Sequence, residues 1–390
     1  MILNSLCAFA IFVFAQCHTT VTAASTPEGD KNGLKIICHY HLHTWYAPDF
    51  RDYSPEVIDH TQCTHIVYTD RVRYTDLAAN RTLHDGKKLF YSRVPVFRKK
   101  GINVSISFFK FNGYELVRVY NATARATFVE SLVDFMERNH FNGFDLYWDC
   151  RSCSKGSSQD VHQDENFIDL IRQLSEAFKP RGWLLSTFVS LSEHVVHPGF
   201  DVLKLSEFVD WMTVNNIILS QNITSHLAPL FLYSDDLHQE TSTNSTVNYL
   251  IEKGVPSQKL VLPVSSIGRM YQLTSAEESG LYAPTDNRYT SHFYETCKEV
   301  LNDNWTVVHD SDKRVGSYAY HSNRWVSYQD VEDVQRRGEF IVQNNLGGGS
   351  IMNLNYDDFE DKCKCGKNPL LKALVQVLRN VAGPKMKNCT

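Results

Sequence analysis

Beyond Ala24 the chain has no apolar run long enough to cross a bilayer, no block of Lys or Arg, no short-period repeat and no low-complexity tract. The missing span excludes a membrane-spanning helix, which needs about 20 apolar residues. Acidic residues (44) outnumber basic ones (39), for a net charge of −5, and with no basic block this excludes nucleic acid, whose binding rests on neutralising phosphates. Charge itself is moderate at 21 %, against 43 % hydrophobic residues, which excludes a disordered or collagen-like chain and leaves enough apolar surface for a large core. The motif Cys150-x-x-Cys153 has no second Cys-x-x-Cys and no spaced His pair nearby. A zinc ligand set is therefore incomplete, and no metal or cofactor is expected. The length of 390 residues fits one large domain or two, and α/β barrels reach this size as a single unit.

The N-terminus is also short of charge, with an apolar run from Leu6 to Ala15 and then small and polar residues to Thr22-Ala23-Ala24. Such a run is too short to span a membrane and sits where a secretory h-region belongs, so residues 1–24 are expected to be a signal peptide and the mature protein to be secreted and extracellular. Sequons at Asn80, Asn121, Asn222, Asn244 and Asn304 are candidates for glycosylation, while Asn103 lies in an expected strand and Asn388 is nearly terminal. Without Cys7 and Cys17, eight of the ten cysteines remain, an even number suited to disulfides in an oxidising compartment, with connectivity open.

Short β-rich runs alternate with helical patterns. Eight are discernible: Leu34–Cys38, His65–Thr69, Ile102–Phe108, Gly143–Trp148, Trp183–Ser190, Phe208–Val214, Leu260–Val264 and Gly349–Leu354. Between them, Phe128, Leu132, Phe135 and Met136 share one helical face, and Phe167, Leu170, Ile171, Leu174 and Phe178 another. Leu370, Leu371, Leu374, Leu378 and Val381 form a last amphipathic pattern. Alternating strands and helices imply parallel pairing with right-handed crossovers, and eight units imply closure into a (β/α)8 TIM barrel. The stretch between Ile267 and Trp325 is too long for a loop and reads as an α+β insertion after the seventh strand. The expected division is a barrel over residues 25–266 and 328–390, with an insertion subdomain over 267–327.

Barrel chemistry sits at the carboxyl ends of the strands. The fourth strand reads Phe141-Asn142-Gly143-Phe144-Asp145-Leu146-Tyr147-Trp148-Asp149, and alternation sets Asp145, Tyr147 and Asp149 on its inward face. This segment resembles the D-G-x-D-x-D-x-E signature of family 18 glycoside hydrolases, the chitinases and chitinase-like proteins. The resemblance covers nearly the whole mature chain. It includes Cys38 and Cys63-Thr64-His65, Lys259 to Arg269, Tyr294-Glu295-Thr296-Cys297, Asn323-Arg324-Trp325-Val326, Leu346-Gly347-Gly348-Gly349 and Tyr356-Asp357-Asp358-Phe359. It implies a disulfide between Cys38 and Cys63, and pairing of Cys297 with Cys363 or Cys365. Cys150, Cys153 and Cys389 remain unassigned.

By that resemblance the family cleaves with substrate assistance: a terminal Glu protonates the leaving oxygen, the sugar's acetamide attacks, and the middle Asp steadies the charge. Here the first Asp is kept as Asp145, the middle position is Tyr147 and the acid position is Asp149. The family's Met-x-Tyr-Asp reads Met212-Thr213-Val214-Asn215, its eighth-strand Trp aligns with Met352, and its third-strand Gly-Gly-Trp with Ser107-Phe108-Phe109. Asp149 is one methylene shorter than Glu, and about 1 Å of misplacement costs about 100-fold. Loss of the charge at position 147 costs about 10²–10³ by the measure of other electrostatic stabilisers. Bland alternatives stand beside these roles: Tyr147 as a filler of the barrel centre, Asp149 as a structural carboxylate, Met352 as packing rather than platform. Trp45, Phe109, Asn215, Arg269 and Met352 are the expected lining of any retained cleft.

The expectation is a secreted, monomeric, chitinase-like protein without efficient catalysis, which binds chitin or a chitooligosaccharide-like glycan or acts as an extracellular signal. Two alternatives compete: a weak hydrolase with Asp149 as its acid, and a ligand of a protein receptor with no sugar binding.

Overall fold

The computed structural model describes residues 33–42, 58–70, 90–108, 121–146, 160–189, 200–215, 217–218, 220–232, 242–310, 315–384, 386 and 388–390. In chain order the elements are β1 (Lys35–His41), β2 (His65–Asp70), α1 (Val94–Lys99), β3 (Asn103–Phe108), α2 (Ala122–Asn139), β4 (Gly143–Leu146), α3 (Asp160–Phe178), β5 (Leu184–Val189), α4 (Val202–Phe208), β6 (Trp211–Val214), α5 (Thr243–Glu252) and β7 (Leu260–Ser265). They continue with β8 (Ile267–Leu273), β9 (Thr285–His292), α6 (Phe293–Asn302), β10 (Thr306–Val308), β11 (Tyr318–His321), β12 (Arg324–Ser327), α7 (Val331–Gln343), β13 (Gly348–Met352) and α8 (Pro369–Leu378). Strands β1 to β7 and β13 close a parallel barrel in the order β1-β13-β7-β6-β5-β4-β3-β2, and β8 to β12 form a separate antiparallel sheet in the order β10-β11-β12-β8-β9. The fold is therefore the expected (β/α)8 barrel with an antiparallel insertion.

The helices form where the apolar spacing places them. Phe128, Leu132, Phe135 and Met136 are the buried stripe of α2, whose N-terminus is capped by the Asn121 side chain accepting from Thr123 and Ala124 N–H. Phe167, Leu170, Ile171, Leu174 and Phe178 are likewise buried on α3. Two readings change. The run Phe208–Val214 is not one strand: Phe208 ends α4, which Asp201 caps at Lys204 N, and β6 begins at Trp211, after the Asp210 carboxylate has taken the Leu185 N–H at 2.7 Å. Val381 does not continue the last helical face, because α8 stops at Leu378 and Asn380 turns left-handed. Val381 is 53 % exposed.

Register fixes how the barrel is filled. Pairing followed once round the ring carries His41 of β1 through Thr69, Ser107, Asp145, Ser186 and Trp211 and back to β1 at Gly33, a shear of eight. With that shear, inward side chains of alternate strands share a layer of four. His65, Gly143, Trp211 and Gly348 make the floor. Ile37, Ser105, Ser186 and Val261 lie above it, then Val67, Asp145, Thr213 and Ser350, and then His39, Ser107, Phe188 and Pro263. Ring contacts agree with this stacking: His65 meets Trp211 at 5.1 Å and His39 meets Phe188 at 5.8 Å between centroids. Outward side chains pack against the helices in the main core. Closure between β7 and β1 depends on glycine, since a Cβ on Gly347 would strike Gln258 O, and one on Gly348 (φ +144°) would strike Lys35 O.

Three disulfides lie among the described residues: Cys38–Cys63, Cys297–Cys363 and Cys365–Cys389. Cys150 and Cys153 lie outside them. The last bridge holds the C-terminal residues, where Asn388 Nδ2 donates to Asp330 at 3.1 Å. Asp330 also caps α7 and accepts from Ser317 at 2.7 Å.

Candidate functional site

Asp145 is fully buried near the C-terminal end of β4. Its Oδ1 accepts from Ser186 Oγ of β5 at 2.5 Å, and the Ser107 hydroxyl of β3 also bonds its carboxyl group. Burial pushes its pKa up to about 6, against the pull of the Ser186 and Ser107 hydroxyls. The carboxyl group is thus divided between its acid and anion forms in mildly acidic water, able to donate or to accept. His39, in the layer above, is held neutral: burial drives its pKa down to about 3. Asp145 lies under that layer with no exposed surface, bonded to its neighbours Ser186 and Ser107.

The layer above His39 holds Thr69 of β2, Asn215 after β6 and Met352 at the end of β13, by the same register. Asn215 donates its backbone N–H to Val189 O at 2.7 Å, and its Oδ1 lies 3.4 Å from Ile217 N. Met352 is half-buried, and its carbonyl accepts from Ser266 N at 3.3 Å. Val214, where the resemblance calls for Tyr, faces outward and is fully buried in the helix-side core. Arg269 sits on β8 of the second sheet, half-buried, with Nη1 donating to Thr290 Oγ1 of β9 at 3.3 Å. The expected residues Trp45, Phe109, Tyr147 and Asp149 lie outside the described residues, as does Asn80. The structure therefore brings Asn215 and Met352 into one layer of the barrel, sets Asp145 two layers below them, and leaves Arg269 on the adjoining sheet.

Two features escaped the sequence reading. Ser107 and Ser186 hold Asp145, and they were accessible in principle, since both are polar residues at inward alternating positions of apolar strands. The second is a stack of rings between the sheet and the barrel: His292 lies over Tyr356 at 4.0 Å and 26°, and Tyr356 over His41 at 6.3 Å and 21°. His292 also caps α6 through its backbone N–H to Glu295 at 2.9 Å, and its ring lies 3.2 Å from that carboxylate, which holds Glu295 below the usual range. The Tyr356 face toward His292 is taken, so it offers no platform there. No local pattern joins residues so far apart in the chain. Cys297, Cys363 and Asp358 also cluster, but both sulfurs are spent in a disulfide and Asp358 accepts from Lys362 and Cys363 N–H at 2.8 and 2.7 Å, so this group fits no metal.

Known proteins share this architecture. The chain is 33 % identical over 386 residues to Probable chitinase 10 of Drosophila melanogaster, covering 92 % of this chain and only 17 % of that much longer protein. Mouse Chitotriosidase-1 is 25 % identical over 375 residues, which cover 89 % of this chain and 78 % of that protein. Among solved structures, catalytic domain 2 of the Group II chitinase of Ostrinia furnacalis, in a mutant form in complex with penta-N-acetylchitooctaose, superposes with a TM-score of 0.83 at 32 % identity, over 92 % of this chain and 99 % of that one. The model of Glycosyl hydrolases family 18 matches residues 35–357. With the closed barrel and its antiparallel insertion, this places the chain in family 18 of the glycosyl hydrolases.

Proposed function

We propose that this protein is an extracellular chitinase-like protein that binds chitin or N-acetylglucosamine-containing glycans without efficient hydrolysis. The reading is carried by a family barrel together with the sequence Asp145-Leu146-Tyr147-Trp148-Asp149, which by its resemblance to the family signature has Tyr147 in place of the middle Asp and Asp149 in place of the acid Glu. Support for sugar as the ligand comes from the 32 % identical insect chitinase domain that holds a chitooligosaccharide. Further support for weak turnover comes from Val214, turned into the core, and from Met352, whose thioether lacks the broad face that stacks on a sugar ring. The disulfides favour an oxidising compartment. No helix among the described residues is long and apolar enough to cross a membrane.

The test pairs two assays on secreted full-length protein. Retention on chitin beads, with release by soluble chitooligosaccharide, is the expected result, together with fluorophore release from chitooligosaccharide substrates at or near background. Failure to bind any glycan on an array sinks the lectin reading and favours a protein receptor. Because position 149 is still a carboxylate, a second reading keeps slow cleavage with Asp149 as acid. It requires measurable release that Asp149→Ala abolishes.

A further inference from the structure

Barrels of this kind are normally filled by layers of bulky branched side chains. Here the middle layer is built from Val67, Asp145, Thr213 and Ser350, four short side chains of which three are polar. Three of the four carry a polar atom with no protein partner among the described residues: Asp145 Oδ2, Thr213 Oγ1 and Ser350 Oγ. The layers on either side add two more, Ser105 Oγ below and His39 Nε2 above. All five residues are at most 2 % exposed. Orphaned polar atoms this deeply buried are few in folded proteins, and water is their usual partner.

We propose that the middle layer of the barrel is a closed hydration site, a small cluster of ordered waters bonded to Asp145, Thr213 and Ser350 and reaching Ser105 and His39. The mixture of atoms suits water: hydroxyls can donate or accept, the carboxylate oxygen accepts, and each water asks for two to four such partners. A cation fits less well, since one carboxylate is the sole anionic group among the five and an imidazole is a poor partner for an alkali ion. The site is closed at both ends. Ile37, Trp211 and Val261 form an apolar cluster beneath it, and the His39–Phe188 pair lies over it at 5.8 Å. Water held here lies beneath the His39–Phe188 pair, and it links Asp145, the one buried carboxylate among the described inward-facing residues, to the imidazole above it. Burial raises the pKa of Asp145 although the Ser186 and Ser107 hydroxyls bond its carboxyl group.

The test is a crystal structure of the full-length protein at a resolution that shows ordered water, with a second crystal pressurised with xenon. The expected result is water density within hydrogen-bond distance of Asp145 Oδ2, Thr213 Oγ1 and Ser350 Oγ, and no xenon in the layer. Thr213→Val and Ser350→Ala are each expected to lose only the water bonded to the replaced hydroxyl. A dry layer overturns the proposal, and so does a xenon peak, because xenon enters empty apolar cavities. Replacement of the water density by an anomalous peak after a rubidium soak also overturns it, in favour of a cation site.

Discussion

At the scale of single residues, Asp145 and His39 make opposite demands on pH. The Asp145 carboxyl is raised from 3.8 to about 6, so folding favours its protonated form. Its contribution is complete below pH 4 and is lost as pH rises through 6. His39 and His65 are both lowered by burial from 6.5 to about 3, so the unfolded chain takes up protons that the folded one refuses, and stability falls as pH drops below 6.5. The two histidines mask the carboxylate in the wild-type profile, and a difference measurement is needed to see it. Asp145→Asn keeps an acceptor for Ser186 and carries no charge. It should be more stable than wild type at pH 7 by up to about 3 kcal/mol, taking about 1.36 kcal/mol per pKa unit, with the advantage shrinking towards pH 4. Urea unfolding of both proteins across that range checks it, and an advantage that does not change with pH refutes it.

At the scale of elements, the glycines that open β13 decide whether the barrel closes. Gly348 sits at φ +144° against Lys35 O, where L side chains seldom go. Gly348→Ala should therefore cost about 3 kcal/mol, the upper range for a strained backbone site, and lower both the yield of folded protein and Tm. Gly280→Ala, where an added Cβ meets nothing within 4 Å, is the control and should change neither. Elements are also where sequence was most informative. All eight barrel strands were visible as β-rich runs, because a strand buried on both faces reads as a short apolar stretch whatever its partners. The error at Phe208–Val214 came from the same source: an apolar run does not show where a helix ends and a strand begins. Layers could not be read at all, since Val67, Asp145, Thr213 and Ser350 meet through register between strands far apart in the chain. The site was half legible. Alternation gave Asp145 its inward face, while the Ser107 and Ser186 bonds and the His292–Tyr356 stack depend on pairings that no local pattern carries.

At the scale of the whole molecule, the disulfides tie separate parts together. Cys38–Cys63 staples β1 to the approach of β2, Cys297–Cys363 joins α6 of the insertion to the segment after β13, and Cys365–Cys389 closes a loop of 24 residues around α8. The pairing of Cys389 was not readable from sequence, because connectivity among several cysteines is a property of the fold. Cys389→Ser should lower unfolding free energy by about 2–4 kcal/mol while far-UV circular dichroism keeps its native shape, since no barrel strand lies within that loop. An unchanged urea midpoint would refute this.

The seating of Asn388 has its own consequence for the sequon it opens. Its amide nitrogen, the atom to which oligosaccharyltransferase would attach a sugar, is already committed to the buried carboxylate of Asp330. If the chain is exported as proposed, a glycan on that nitrogen would have to share or displace its seat beside Asp330, so the closed clasp disfavours modification at this sequon.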